Sequence, residues 1–182
     1  HITHLFRRPT RGRVWKGEAI MQPDAKAIQD AIDKIEIGEL QSRYMFAMDW
    51  YDADLYAEVF VEDGELIWPG GHCRGKDAIR ESRRQVIEFN NRLAAVMDPR
   101  TGKPQKLRHF ITNRVIRIDG DNARAVAYWV DYHNDNQYRR PYVAAYGHYE
   151  DDLVRTAEGW RFTRRRIFNE MEENSPEENP AW

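Results

Sequence analysis

Residues 107–133 have the sequence LRHFITNRVIRIDGDNARAVAYWVDYH, and this stretch decides the fold of the chain. β-Branched and aromatic residues dominate both halves, which is typical of β-strands, and the Gly-Asp-Asn between them is typical of a tight hairpin connection. Two segments of the same character follow, at residues 142–156 and 160–170. The C-terminal half is therefore predicted to be a long antiparallel meander of four strands.

Helical patterns precede the meander. Apolar residues at helical spacing predict a helix over 25–37 that Gly38 breaks, and residues 39–51 restart it. Asp52 is expected to cap a short helix, and residues 76–97 form the clearest helix. The residues expected on the inward faces are Ile28, Ile32 and Ile35 in the first helix and Ile79, Val86, Phe89, Leu93 and Val96 in the last. Helices followed by an antiparallel meander indicate the α+β class, with a pocket between the helices and a curled sheet.

The composition predicts a single soluble domain. The 182-residue chain is 41% hydrophobic and 32% charged with a net charge of −2, which argues against a nucleic-acid partner. We place the domain at residues 22–172, after a leader or added arm over 1–21 and before an acidic tail over 173–182. Cys73 is the only cysteine, and no window is long and apolar enough to span a membrane. We therefore expect a cytoplasmic protein with no membrane partner.

Asp49 lies within YMFAMDWYDADLYAEVF, residues 44–60, where nearly all its neighbours are apolar or aromatic. A buried carboxylate is costly unless a partner hydrogen-bonds to it or neutralises it. His109 begins the first long strand, and strand alternation predicts that it shares a face with Ile111 and Val115. Contact between the two would fix the tautomer of His109 and leave its second nitrogen free as a base. A turn role for Asp49 and a core role for His109 are the alternatives.

The other histidines do not predict a metal site. His72, His133 and His148 lack a metal-binding spacing, and no cysteine pair assists them. The arginines of 163–166 are expected to pair with the acidic residues of 149–152 on a solvated face rather than to bind nucleic acid. The sequence has no glycine-rich phosphate loop, so we expect no nucleotide cofactor.

Four stretches, among them GKDAI and LRHFITNRVIRIDGDNARAVAYW, together resemble the SnoaL-like branch of the nuclear transport factor 2-like superfamily. The stretches lie at residues 31–66, 75–79, 107–129 and 147–167. This branch includes scytalone dehydratase and the hexachlorocyclohexane dehydrochlorinase. The resemblance implies a cone-shaped α+β barrel, in which a strongly curved antiparallel sheet wraps around N-terminal helices and encloses a deep apolar pocket.

The resemblance also implies site residues. It makes Asp49 and His109 a catalytic pair and places a further dehydratase histidine near His133. Two dehydratase tyrosines fall at Met48 and Trp68, so loss of water from scytalone itself is not expected. With strand parity, the resemblance gives these candidates for substrate binding: Tyr44, Trp50, Phe60, Trp68, Tyr128, Tyr132, His133 and His148. The aromatic members suit a small aromatic substrate, including one with two rings.

The implied activity is that of a cofactor-independent lyase using His-Asp acid–base chemistry. The leaving group would be water, halide, or formaldehyde released by C–C cleavage, as from a lignin-type diarylpropane. No metal or other cofactor is expected, and the assembly is expected to be a homodimer or homotrimer. The alternatives are a non-catalytic small subunit of an aromatic-ring dioxygenase, a small-ligand-binding module, and an isomerase or cyclase with Asp49 as general base.

Overall fold

The structure is a computed structural model, and it describes residues 24–97, 106–136, 138–171 and 178–181. The leader expected over 1–21 and much of the expected tail therefore lie outside the described residues. The elements, in chain order, are α1 (Ala25–Asp49), α2 (Ala53–Glu58), β1 (Phe60–Trp68), β2 (Gly71–Arg74), α3 (Lys76–Met97), β3 (Arg108–Asp119), β4 (Asn122–His133), β5 (Tyr142–Thr156) and β6 (Gly159–Asn169). Three helices thus pack with six strands, and the predicted α+β class and four-strand meander are confirmed.

The strands form one sheet in the order β2-β1-β6-β5-β4-β3. The expectation of a wholly antiparallel barrel needs two corrections. β1 pairs with β6 in parallel, so the sheet is mixed. β2 and β3 remain as its two edges, so the sheet is curved but not closed. A parallel pair requires a long connection between its strands, and the chain from β1 to β6 provides one through α3 and the meander.

Helix α1 is continuous, so the predicted break at Gly38 is wrong. Gly38 costs a helix interior only about 1 kcal/mol, which tertiary packing can override. The predicted inward face is wrong as well, because Ile28, Ile32 and Ile35 are exposed. The buried face instead carries Asp33, Ile37, Leu40, Gln41, Tyr44 and Met45.

Helix α3 buries only the beginning of its predicted apolar stripe. Ile79 is fully buried, whereas Val86, Phe89 and Leu93 are exposed, and the side chain of Val96 lies outside the described part. Within the described ranges, neither long helix has an apolar stretch that would cross a membrane.

A charged pair lies at the centre of the core. Arg165 and Asp151 are fully buried and joined by two hydrogen bonds of 2.7 Å. The rings of Tyr44, Tyr149 and Phe162 pack around the guanidinium of Arg165 at 4.1 to 4.3 Å. Pairing between the arginines of 163–166 and the acidic residues of 149–152 is therefore confirmed, but its central pair is buried rather than solvated.

Candidate active site

Asp49 and His109 meet where the end of α1 packs against the beginning of β3. Asp49 Oδ1 lies 2.7 Å from His109 Nδ1, and the backbone N–H of His109 donates to both carboxylate oxygens at 3.2 and 3.0 Å. Since a carboxylate only accepts, Nδ1 carries the proton of this bond and Nε2 is left to face other groups. The side chains are 7% and 12% exposed. The structure thus brings together the two residues that the sequence pairs.

The end of α1 is fixed by a Schellman-type arrangement. The backbone N–H of Tyr51 donates to Met48 O at 3.3 Å, and that of Asp52 donates to Ala47 O at 2.9 Å. Tyr51 takes the left-handed position with φ of 60°, where glycine is usual. The side chain of Asp52 then caps α2 by accepting from the N–H of Leu55, as predicted. Asp49, the last residue of α1, is therefore held by backbone bonds on both sides of the turn.

Arg83 strengthens this turn from α3. Its side chain is buried and donates a hydrogen bond to the carbonyl oxygen of Met48, the residue before Asp49. Its guanidinium also packs on the rings of Tyr51 and Tyr56, at 5.8 and 5.5 Å. A cation at the carbonyl end of a helix is favoured by the helix dipole. The charge of Arg83 therefore supports the position of Asp49.

Asp131 is a site residue that the sequence analysis missed. It lies directly opposite His109 in the β3–β4 pairing, and its Oδ2 is 3.5 Å from His109 Nε2. The same oxygen accepts a 2.6 Å hydrogen bond from Nε2 of His133. Strand alternation carries the signal, because Trp129, Asp131 and His133 share one face of β4. The second nitrogen of His109 therefore lies near a carboxylate, at a distance beyond a normal hydrogen bond.

Tyr51 was missed for a different reason, since nothing in the sequence marks its left-handed backbone. Burial raises the pKa of the Tyr51 phenol, Arg83 opposes this shift, and the carboxylate of Asp49 adds to it. The phenol therefore stays protonated near the Asp49–His109 pair and is able to donate a hydrogen bond.

A groove opens beside the pair, between α1 and β3. Its volume is about 340 Å³, within the range of small-molecule sites. The groove is lined by Ser42, Met45, Phe46, Asp49, Trp50, Arg108, His109, Phe110, Ile111 and Arg114. Phe46, Trp50 and Phe110 are largely exposed along it, and Arg108 packs on the Trp50 ring at 5.0 Å. The groove is thus mainly apolar and aromatic, and the buried pair is part of its lining.

A family model described as a SnoaL-like domain matches residues 29–166. The chain belongs to this SnoaL-like family. The resemblance found in the sequence, to the SnoaL-like branch of the nuclear transport factor 2-like superfamily, is thereby confirmed. No curated protein matches the chain.

Solved structures share the fold of this SnoaL-like domain at low identity. A variant of a function-unknown protein from Mycobacterium tuberculosis is 24% identical, with a TM-score of 0.65 over 84% of this chain and 78% of that one. An NTF2-like protein with a cystatin-like fold from Novosphingobium aromaticivorans is 24% identical, with a TM-score of 0.61 over 79% and 88%. A scytalone dehydratase-like protein from the same organism is 21% identical, with a TM-score of 0.62 over 78% and 87%.

Several residues expected in the pocket of this SnoaL-like domain lie in its core instead. Tyr44 and Phe60 are fully buried among the rings around Arg165, and the Tyr44 hydroxyl pairs with that of Tyr56 at 2.5 Å. Tyr44 precedes Asp49 by five residues, so the helix turns its side chain away from the groove. Trp68 packs against the core at the β1–β2 hairpin.

Tyr128, Tyr132 and His148 lie on the opposite face of the sheet from Asp131 and His133. Tyr128 and Tyr132 are exposed, and Tyr128 pairs across the strands with His148. His148 is covered by Phe168, which stacks on its ring at 4.5 Å, and its Nδ1 lies 2.7 Å from Glu170 Oε1. Assigning these three residues to the pocket is wrong, because side chains on one strand alternate between faces and His133 occupies the inner one.

A β-bulge also corrects the predicted face of Val115. The β3–β4 register shifts between Thr112 and Val115, and Asn113 has φ of 53°. Beyond the bulge, Ile116 and Ile118 pack against the core. Within the described ranges, no group of three His, Cys, Asp or Glu side chains is arranged to hold a metal ion.

We expect His133 to stabilise this SnoaL-like domain more in acid than in base. The hydrogen bond to Asp131 raises the pKa of His133, although burial opposes the shift. A histidine whose pKa is raised in the folded state contributes its full stabilisation below the unfolded-state pKa of about 6.5. This stabilisation is lost as the pH rises through the folded-state pKa. His133→Asn should therefore lower the free energy of unfolding more near pH 5.5 than near pH 9. Because the ring is partly exposed, the difference between the two losses should be below about 1 kcal/mol.

Urea unfolding of both proteins at the two pH values measures this difference. His72→Asn is the matched control, since the His72 side chain is 53% exposed and lies 4.0 Å from Glu65. An equal loss of stability for His133→Asn at both pH values would contradict the expectation.

Proposed function

We propose that this SnoaL-like domain is a cofactor-independent lyase that acts on a small aromatic substrate. One observation carries the proposal: a buried carboxylate, Asp49, is hydrogen-bonded at 2.7 Å to Nδ1 of His109, and both residues line an apolar groove. A carboxylate in this position fixes the tautomer of a histidine and stabilises the imidazolium that forms when the histidine takes a proton.

In the proposed reaction, Nε2 of His109 takes a proton from a carbon or hydroxyl of the substrate. When the proton comes from carbon, the C–H electrons form a C=C bond as halide leaves, or as a hydroxyl takes up a proton and leaves as water. When the proton comes from the hydroxyl of a CH2OH group, the O–H electrons form the C=O bond of formaldehyde and the C–C bond breaks. The C–C electrons then form the new double bond as a neighbouring hydroxyl takes up a proton and leaves as water. A positioned acid–base group of this kind contributes about 10²- to 10⁴-fold to the rate. Exclusion of water from the buried pair strengthens its electrostatic interaction with the reacting atoms.

The aromatic nature of the substrate is inferred from the lining of the groove. Phe46, Trp50 and Phe110 are among the residues that line it, and Met45 and Ile111 add apolar surface. Aromatic side chains favour stacked or edge-to-face contacts with aromatic ligands. The 340 Å³ volume matches a ligand of one or two rings.

The test is turnover of β-hydroxy and β-halo aryl ketones and of aryl diols in chelator-treated buffer, followed by mass spectrometry. The wild type is expected to release water, halide or formaldehyde, and His109→Gln is not. Binding without turnover on every probe would contradict the lyase and favour a ligand-binding module. A large loss for Asp49→Asn with only a modest loss for His109→Gln would favour an isomerase or cyclase that uses Asp49 as base.

We also propose that the domain self-associates through the outer face of the sheet. The face carries the exposed side chains of Tyr128, Tyr132, Val143 and Tyr146. An exposed apolar patch of this kind is typical of a protein–protein contact. Light scattering should give a homodimer or homotrimer for the wild type and a smaller species for Tyr128→Arg with Tyr146→Arg. Lys26→Glu is a charge-changing control at an exposed position of α1. A monomeric wild type would contradict the proposal.

A further inference from the structure

Asp131 lies between two histidines on the inner face of the sheet. Its Oδ2 is 2.6 Å from Nε2 of His133 and 3.5 Å from Nε2 of His109. The Asp131 side chain is 11% exposed, and its Oδ1 is buried without a hydrogen-bond partner among the described residues. The β4–β5 register shifts between Asp131 and Tyr132, with the extra residue in β5, so the alternation of side chains along β4 is unbroken.

The two contacts of Asp131 differ in kind. At 2.6 Å, His133 Nε2–H donates a short, charge-assisted hydrogen bond to the carboxylate. At 3.5 Å, His109 Nε2 is just beyond direct hydrogen-bond range, so a small shift of either side chain would join them. The hydrogen bond to Asp131 also raises the pKa of His133, which favours the charged imidazolium that can act as an acid.

We propose that Asp131 couples His109 to His133, so that His109 removes a proton from the substrate while His133 returns one to the leaving oxygen. This inference rests on the proposed lyase function. His109 Nε2 takes the proton from carbon, the C–H electrons form the double bond, and the C–O bond breaks. The His133 imidazolium gives its proton to the departing oxygen, which leaves as water. This proton comes from His133 Nδ1, because His133 Nε2–H stays hydrogen-bonded to Asp131. His109 Nε2 then loses its proton to solvent and His133 Nδ1 regains one, which restores both rings.

The groups around the two rings are compatible with this transfer. Asp49 faces His109 from α1, and Asp131 faces both rings from β4. Asp135 acts on His133 from the connection to β5, and it accepts a 2.5 Å hydrogen bond from Tyr142. The Tyr142 ring lies 6.1 Å from the His133 ring. In this arrangement Asp131 is a positioning residue that acts through the two histidines.

Two probes with the same product separate acid catalysis from proton abstraction. β-Hydroxypropiophenone loses water and β-chloropropiophenone loses chloride, and only the hydroxyl needs a proton to leave. His133→Asn and Asp131→Asn are each expected to lower kcat on the hydroxy probe by about 100-fold. On the chloro probe the loss should be at least about tenfold smaller. His109→Gln should lose turnover on both probes. An equal loss on both probes for His133→Asn would overturn the proposal.

A second measurement needs no substrate. Nuclear magnetic resonance of the full chain with isotope-labelled histidine reports the protonation of each ring nitrogen as the pH is changed. Asp131→Asn is expected to bring the pKa of His133 back toward its ordinary value, and His133→Asn is expected to move the His109 ring signals. His148→Asn, on the outer face, should leave the His109 signals in place. If neither Asp131→Asn nor His133→Asn moves them, the coupling is absent even where turnover exists. Coupled signals without any turnover would instead refute the lyase.

Discussion

His109→Gln is expected to lower kcat/KM for elimination by about 10³- to 10⁴-fold while leaving the fold intact. Glutamine keeps much of the size of histidine and can still donate to Asp49, but it cannot accept the substrate proton. The backbone N–H of His109 would continue to donate to the carboxylate at 3.0 Å, so the contact between α1 and β3 would persist. Steady-state kinetics on any probe that the wild type eliminates measures the loss, and circular dichroism checks the fold.

Asp49→Asn should give a loss of similar size, because the amide would present the wrong hydrogen-bonding group to His109 Nδ1. The matched control is His148→Gln, whose ring lies on the outer face against Phe168. It should retain nearly full turnover with the same aryl ketone. A His109→Gln protein that keeps more than about a tenth of wild-type kcat/KM would remove His109 from the chemistry.

Asp151→Asn is expected to destabilise the domain by about 3–5 kcal/mol, a large fraction of the stability of a typical domain. Burial opposes the charge on Arg165, yet Asp151 holds the pKa of that guanidinium above its ordinary value. The carboxylate also accepts a 2.9 Å hydrogen bond from Gln41, which in turn accepts from Arg114. Removing the carboxylate would leave a cation enclosed by aromatic rings without its counter-ion. Urea unfolding monitored by tryptophan fluorescence measures the change.

The neighbouring residue provides the control for this prediction. Asp152 pairs with Arg164 at 2.5 Å, but the two side chains are 37% and 46% exposed. Asp152→Asn also removes a carboxylate that pairs with an arginine, and it should lower the free energy of unfolding by no more than about 1 kcal/mol. Equal losses for the two variants would mean that the buried pair contributes no more than a surface pair.

The meander was predictable because its signal is local. β-Branched strands and short polar connections specify β3 to β6, and Asp52 marks a helix start three residues before its hydrogen-bond donor Leu55. The buried face of α1 was not predictable by the same means. Asp33 faces inward because Arg155 and Trp160 bind it from more than a hundred residues away. No periodicity within α1 contains that information, so the exposed isoleucines give the stronger but wrong pattern.

The candidate site likewise contains residues that the sequence predicts and residues that it does not. Asp49 and His109 could be paired from a costly buried carboxylate and a family resemblance, and the two side chains are in contact. Strand alternation places Asp131 on one face with Trp129 and His133, but only the register with β3 sets it opposite His109. Tyr128 and Tyr132 were placed in the pocket although they alternate with Trp129 and Asp131. Strand parity puts Trp129 and Asp131 on the inner face and the two tyrosines on the outer one.

A double-mutant cycle tests most directly whether Asp49 and His109 act as one catalytic unit. The kcat/KM values of wild type, Asp49→Asn, His109→Gln and the double variant are measured on one aryl ketone in chelator-treated buffer. If the carboxylate acts only through the imidazole, the double variant should be no slower than the slower single variant. If the two losses multiply instead, the residues act independently, and the proposed His-Asp pair is contradicted.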